Sequence, residues 1–499
     1  MGILIATVLS AVSGFILAQY YSIDVLSSLL SPPYDCMADW GTAVGRHCFS
    51  DYAIPVSFGL RANPWEPYPL YLPPDFKPAY NNYPAAGMLP AVIFGAAGKW
   101  LGIPNIGLLG YLIVLAAACF SPAIWAARAE ASVQRVVVFV ACGAAAIPAW
   151  MAIDRGNSVG FVVPIMLMYL VALCRQRWGQ VCVMVILAAL VKPQFSVMLV
   201  VLLAARRWRL AGVTVAGIVA SNLAAYALWP RQFPRTIAQT IHNTLGYGSG
   251  SMSVTNVNVS FGKGLLMVAD GMKAARNGGV VPNDFLAGPR NLLGYAVLLI
   301  VVVSTIALGR RIPPVMAGVA LIATASLFPA VSNRYYLVFA LPIAALIVRY
   351  PDGPSKTGLF DCAAATGGRR RALAICVVLA TAISLAQIAL PGPPSRIEVM
   401  GPTAQVWATL RLVETTVALA PIAWLIACLA LLISYVRRPA FSDASEQARM
   451  ERDHAGGGAT DVLEPIGRDP NWDETGQADR SAVATTSSLA NPAPPESED

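Results

Sequence analysis

Apolar runs of about 17 residues or more recur along this chain, and each is long enough to cross a hydrocarbon core of roughly 30 Å. A single soluble core cannot absorb them all, so a bilayer is part of the solvent this chain folds in. Inside lipid every backbone donor and acceptor needs an internal partner, which makes helices the expected elements. Composition agrees, with 56% hydrophobic and 12% charged residues against roughly a quarter charged in an ordinary soluble protein. The first run, Ile3 to Tyr20, has no basic segment before it and no small-residue cleavage motif after it. It reads as a retained helix rather than a signal peptide.

The formal charge of +8 divides unevenly: the tail after Tyr435 holds 13 acidic and 6 basic residues, leaving about +15 on the membrane part. That excess is no nucleic-acid signature, because it sits in short clusters between apolar runs. The clusters are Arg128/Arg135, Arg175/Arg177, Arg206/Arg207/Arg209, Arg310/Arg311, Arg349/Lys356/Arg369/Arg370/Arg371 and Arg437/Arg438. All of them can face the cytoplasm at once. This predicts an inner-membrane protein with both termini cytoplasmic and about twelve spans, near 3–20, 105–126, 134–152, 157–174, 178–191, 194–205, 210–229, 291–309, 313–330, 335–348, 372–390 and 412–435. The membrane domain is residues 1–438, with large outer loops at 21–104 and 230–290 and short outer turns near Asp154, Lys192, Asn333 and 391–411. Eleven acids, among them Asp24, Asp35, Asp39, Asp51, Asp154 and Asp270, fall on or near that outer side, although acids had no part in choosing it. Residues 439–499 are rich in Gly, Ser, Ala, Pro and acids without apolar periodicity and read as a disordered cytoplasmic tail.

Two stretches strain this topology. Residues 86–102 are apolar but short, and are expected as a juxtamembrane helix closing the first loop. The runs flanking Lys192-Pro193 are also short, so they form either two crossings or one helix kinked at the proline. No internal repeat of the transporter kind is visible. Of nine cysteines most lie in apolar runs; Cys36 and Cys48 share the first loop, where an oxidising compartment permits a disulfide without requiring one.

The first loop holds Asp35, Asp39-Trp40, Asp51 and Tyr83-Pro84 among many prolines and aromatics, the composition of a loop folded back on the membrane interface. A carboxylate held there can deprotonate a hydroxyl if partial desolvation raises its pKa. Asp39-Trp40, Tyr83-Pro84, Asp154-Arg155-Gly156-Asn157 and Lys192-Pro193, followed by Arg206-Arg207-Trp208-Arg209, occur in this order across residues 1–350. In that order they resemble the polyprenol-phosphate-dependent glycosyltransferases of the GT-C class, and most of all glycosyltransferase family 87, which includes mycobacterial mannosyltransferases. The chain departs from that pattern at Asn157, where relatives carry Gln, at Ala85, where they carry a second Pro, and at Ser332-Asn333-Arg334-Tyr335-Tyr336, a turn that often bears His.

The resemblance implies a GT-C-like fold and an inverting transfer of a hexose, mannose foremost, from a polyprenyl-phosphate donor to a glycan or glycolipid hydroxyl at the outer face. Asp39 is the implied general base, with Asp35 as fallback. Asp154, Arg155, Asn157, Lys192 and Arg334 are the implied contacts to donor phosphate or sugar, and His242 and Tyr335 the lid or acceptor contacts. No cofactor or metal ligand set is expected, though the outer carboxylates leave room for a divalent ion. Plainer readings stand beside these: a loop aspartate caps or is solvated, Gly156 ends a helix, Lys192 snorkels, the tyrosines belong to an interfacial belt, and a lone loop histidine is structural. The rival functions are a transporter or lipid flippase, which predicts paired broken helices, and a non-catalytic assembly subunit.

Overall fold

The computed structural model of the chain describes residues 1–21, 40–45, 47–72, 77–128, 130–247, 258–276, 288–351, 357–361, 371–400 and 405–436. Asp35, Cys36, Asp39 and the acidic tail 439–499 lie outside them.

The elements in chain order are α1 (Gly2–Tyr21), α2 (Ser50–Gly59), the paired strands β1 (Tyr68–Leu72) and β2 (Lys77–Ala79), α3 (Ala85–Trp100), α4 (Pro104–Ala127) and α5 (Ser132–Phe139). Then come α6 (Ile147–Arg155), α7 (Val162–Cys174), α8 (Trp178–Val191), α9 (Val200–Ala204), α10 (Trp208–Tyr226), α11 (Arg235–Tyr247) and α12 (Phe261–Arg276). The last are α13 (Gly288–Leu308), α14 (Pro314–Leu327), α15 (Ala340–Val348), α16 (Arg371–Leu385), strands β3 (Ala389–Met400) and β4 (Gln405–Glu414), and α17 (Thr415–Val436). Helical segments overlap each of the expected spans. Five helices are long and apolar enough to cross a membrane alone, and a sixth crossing is available if the pair 132–144 and 147–155, bent by 52°, counts as one. The others are shorter apolar helices of 10–17 residues. The chain is thus a helical, multi-pass membrane protein.

Burial sorts the helices by depth in the bundle. α14 is buried along its whole length from Val315 to Leu327, as is α15 from Ala340 to Leu346. A helix apolar all round and buried all round is an interior element. By contrast α1, α10 and α13 expose large apolar side chains such as Val8, Phe15, Val219, Leu292 and Leu299, the surface that lipid covers. Small residues set the closest approach: a Cβ on Gly107 of α4 would lie 2.3 Å from the Phe94 carbonyl oxygen of α3. Backbones that touch in this way hold membrane helices together without any hydrophobic drive between them. The expected juxtamembrane helix 86–102 is α3, whose buried residues include Ala86, Met88, Ala91, Gly95 and Gly98.

The two short runs around Lys192 are a hairpin rather than one kinked helix. The Arg207 guanidinium at the far end of the second run lies 5.4 Å from the Trp178 ring that begins the first, which a continuous helix would keep a full double length apart. Lys192 therefore stands in the turn, outside both helices, with extended backbone at φ −143°. The arginine ends of other helices also meet: Arg349 donates to the Trp125 carbonyl at 2.5 Å and Arg311 to the Val436 carbonyl at 3.3 Å. Arg207 thus lies at one end of the hairpin and Lys192 at the other, the lysine end.

Two features depart from the expected outline. The segment 391–411 is not a short turn but most of an antiparallel hairpin, paired from Ala389↔Glu414 to Met400↔Gln405. Its register slips between Pro391 and Ser395, where proline cannot donate to a ladder. The second is a buried ion cluster. Asp270 of α12 takes a hydrogen bond from Arg290 of α13, a residue 0% exposed, and lies 3.4 Å from Lys263 Nζ. Nothing in the sequence pattern paired these three.

Candidate functional site at the lysine end

The turn after α6 organises this end. Gly156 caps the helix in the left-handed conformation, φ +65°, and a Cβ on it would lie 2.9 Å from the Cβ of Tyr52. Only glycine lets the turn sit so close to the first turn of α2. Tyr111 clamps it from α4, its hydroxyl donating to the Gly156 carbonyl at 2.9 Å. Asn157 then faces two ways: its Oδ1 accepts the Val159 N–H at 2.9 Å and its Nδ2 donates to Asp51 Oδ2 at 3.0 Å. Arg155 Nε lies 3.5 Å from the same Asp51 oxygen. On the other flank Asp154 Oδ1 is 3.5 Å from His47 Nδ1.

Among the described residues, the Asn157 hydrogen bond and the Arg155 ion pair to Asp51 both fall on Oδ2. Its place in the first turn of α2 suits a carboxylate, because unpaired N–H groups give that helix end partial positive charge. Phe49, just before the helix, has φ +49°. For a bulky residue that backbone costs free energy and persists only where surrounding contacts enforce it.

Lys192 approaches from the hairpin turn. Its side chain is 8% exposed, with Nζ 4.4 Å from the centroid of the Tyr83 ring and 6.0 Å from that of Tyr336. Two ring faces stabilise the ammonium in place of lost water. Burial still pushes its pKa down to about 8, against the opposing pull of the Asp51 charge. That Asp51 charge also reaches Tyr83, Tyr247, Tyr335 and Tyr336. A buried cation, a tethered carboxylate and a wall of phenols therefore share one electrostatic neighbourhood.

Of the residues singled out from sequence, Asp154, Arg155, Asn157 and Lys192 converge here. Arg334 is buried at the start of the turn of helix Arg334–Phe339, two residues before Tyr336. Tyr335 accepts a 2.8 Å hydrogen bond from Asn333 Nδ2 on its hydroxyl. His242 lies on the exposed side of α11, and it is Tyr247, at the end of that helix, that comes within reach of Asp51. Asp39 and Asp35 fall outside the described residues. Sequence singled out Tyr83 only within the Tyr83-Pro84 motif and Asp51 only as one of the acids of the first loop, and assigned neither a role at the site. Cys48, three residues before Asp51, is disulfide-bonded, while Cys36, its expected partner, lies outside the described residues. Among the described residues no three His, Cys, Asp or Glu side chains gather as metal ligands. No protein-family model matches the chain, and no curated protein or solved structure is similar enough to it to indicate a family.

Proposed function

We propose that this chain is a GT-C-like hexosyltransferase with about twelve spans that moves a hexose, mannose foremost, from a polyprenyl-phosphate donor to a glycan or glycolipid hydroxyl. The observation that carries the reading is that the buried Lys192 ammonium, set against the rings of Tyr83 and Tyr336, lies within electrostatic reach of the Asp51 carboxylate at one end of the bundle. A lipid-linked sugar phosphate needs a cation for its phosphodiester, and the acceptor hydroxyl needs a base. In the reaction the acceptor oxygen bonds to the anomeric carbon from the face opposite the phosphate. The bond from that carbon to the phosphate oxygen breaks with inversion, and the polyprenyl phosphate leaves as an anion beside Lys192. The hydroxyl proton passes to Asp51 Oδ1, while Arg155 and Asn157 hold Oδ2 and so fix the carboxylate. Arg334 supports the phosphate, and Tyr335 and Tyr247 border the acceptor.

Orientation follows from two supports. Arginine clusters favour the cytoplasm, and the oxidised Cys48 favours an extracytoplasmic lysine end. Both termini are then cytoplasmic and the membrane is the inner, or plasma, membrane.

The test is purified protein in liposomes with polyprenyl-phosphate mannose and candidate acceptors. Removing a general base costs on the order of 10²–10⁴ in rate, so Asp51→Asn should lose that much turnover with donor binding retained. Full activity in Asp51→Asn together with loss in Asp39→Asn would move the base to Asp39, the position implied by the resemblance. One observation favours the transporter or flippase reading, namely the 52° break between 132–144 and 147–155. The same liposomes separate the two, since a flippase moves the lipid across unchanged.

A further inference from the structure

α11 carries its polarity the wrong way round for a helix in water. Thr236, Thr240 and Asn243, spaced as one helical face, are buried. That side of the helix is tied to the chain before α3. Asn243 Nδ2 donates to the Trp65 and Asn81 carbonyls at 3.3 and 3.0 Å, Thr244 Oγ1 to the Asn82 carbonyl at 3.2 Å, and Asn63 Nδ2 to Gln239 Oε1 at 3.1 Å. The opposite face is apolar and bare: Ile241 is 57% and Leu245 66% exposed, with exposed Phe233 just before the helix. A helix on a water-facing surface packs its apolar stripe inward. This one packs its polar stripe inward, so the medium that meets its outer stripe is not water.

Position identifies that medium. α10 begins at Trp208, beside the contact of Arg207 with Trp178, and its 19 residues rise about 28 Å, close to the roughly 30 Å of a hydrocarbon core. Its Val219 and Leu223, and Leu228 just beyond it, are exposed to lipid. α11 therefore starts where that lipid-covered wall runs out, at the level of the headgroups. Charge fits the same place. From Leu228 to Tyr247 the chain has two arginines, Arg231 and Arg235, and no acid. Both arginines are exposed, and Arg235 shares a flank of the helix with exposed His242, seven residues on. Glu66, on the loop beneath, accepts a hydrogen bond from Gln232 at 3.1 Å.

We propose that α11 lies along the headgroup layer at the lysine end, with Phe233, Ile241 and Leu245 set into the upper acyl chains and Arg231 and Arg235 holding anionic headgroups. A helix with one apolar face and basic residues beside it suits that boundary, and each arginine near an anionic surface raises occupancy about fivefold. The occupant is ordinary bilayer phospholipid, selected by its charge, and the proposal does not depend on the sugar-transfer reading. The contact reaches the site through the inward side of the helix. Asn243 and Thr244 hold the carbonyls of Asn81 and Asn82, and the next residue, Tyr83, sets its ring 4.4 Å from Lys192 Nζ. Anionic lipid is thereby a ligand that holds in place the segment bearing the Tyr83 ring.

The test uses the full chain in proteoliposomes of phosphatidylcholine and phosphatidylglycerol, with a photoreactive benzophenone side chain placed at Ile241 or Leu245. On illumination both positions should capture lipid, with phosphatidylglycerol enriched about fivefold or more over its share of the bilayer. Arg231→Gln combined with Arg235→Gln should return that ratio to the bulk value while lipid capture persists. Both arginines are exposed, so the packed face of α11 is left intact. Raised salt should lower the enrichment in the arginine-bearing chain without any such substitution. Absence of lipid adducts at both positions, or adducts between two copies of the chain in their place, overturns the interfacial placement. Capture at the bulk ratio in the arginine-bearing chain, or enrichment that survives loss of both arginines, overturns the assignment of anionic lipid.

Discussion

Lys192 gives the sharpest prediction because its environment fixes a number. With its pKa near 8, about nine-tenths of the side chain is charged at pH 7 and about one-tenth at pH 9, whereas an ordinary lysine near 10.4 stays charged throughout. A polyprenyl-phosphate sugar is a phosphodiester whose single charge does not titrate in this range, so the pH dependence of its binding belongs to the protein. Donor affinity should fall about tenfold between pH 7 and pH 9, or about 1.4 kcal/mol, measured by titration of a non-transferable phosphonate analogue in nanodiscs. Lys192→Arg keeps its charge over the whole range and should remove the slope even if its absolute affinity is lower. Stability should move the other way. Lys192 titrates below its unfolded value of 10.5, so between about pH 8 and 10.5 the unfolded chain binds more protons and stability rises with pH. Donor binding that is flat to pH 9 in the unaltered protein would refute the buried-cation argument.

Further substitutions probe the supports around it. Gly156→Ala places a Cβ against Tyr52 in a left-handed turn and should cost at least about 1–2 kcal/mol from backbone strain alone, read as a lowered Tm, with turnover falling further because Asp51 is displaced. Asn157→Ala removes one of the two groups on Asp51 Oδ2 and should lower kcat about tenfold while leaving donor affinity unchanged, a split that a purely structural role would not produce. Asp270→Asn takes the carboxylate from the buried Arg290 and should destabilise by about 3–5 kcal/mol, seen as a large loss of detergent-solubilised Tm.

Helix positions were legible because lipid imposes a length and an apolar content that few other constraints imitate; even the short runs beside Lys192 were visible. Their arrangement was not, since a hairpin and a proline kink have the same hydropathy and only the contact of Arg207 with Trp178 separates them. The β3–β4 hairpin was hidden because its prolines read as a turn. At the site, Asp154, Arg155, Asn157 and Lys192 stood out as polar residues at helix ends. Asp51 did not, because it was one of several acids in a long loop, and what distinguishes it is the turn from a distant helix closing on it. The buried Asp270–Arg290 pair was equally illegible: twenty residues separate the partners, and only packing of α12 on α13 takes them both from water.

The shortness of the Lys192 hairpin has a consequence for the membrane itself. Fourteen residues of α8 rise about 21 Å, well under the roughly 30 Å of a typical hydrocarbon core. Either the lysine tip lies below the headgroup plane or the bilayer thins around it, and each adjustment costs a fraction of a kcal/mol per ångström. Acyl-chain length should then act as a rheostat on this protein, with shorter-chain lipids bringing the headgroup plane down to the buried ammonium and thicker bilayers drawing it away.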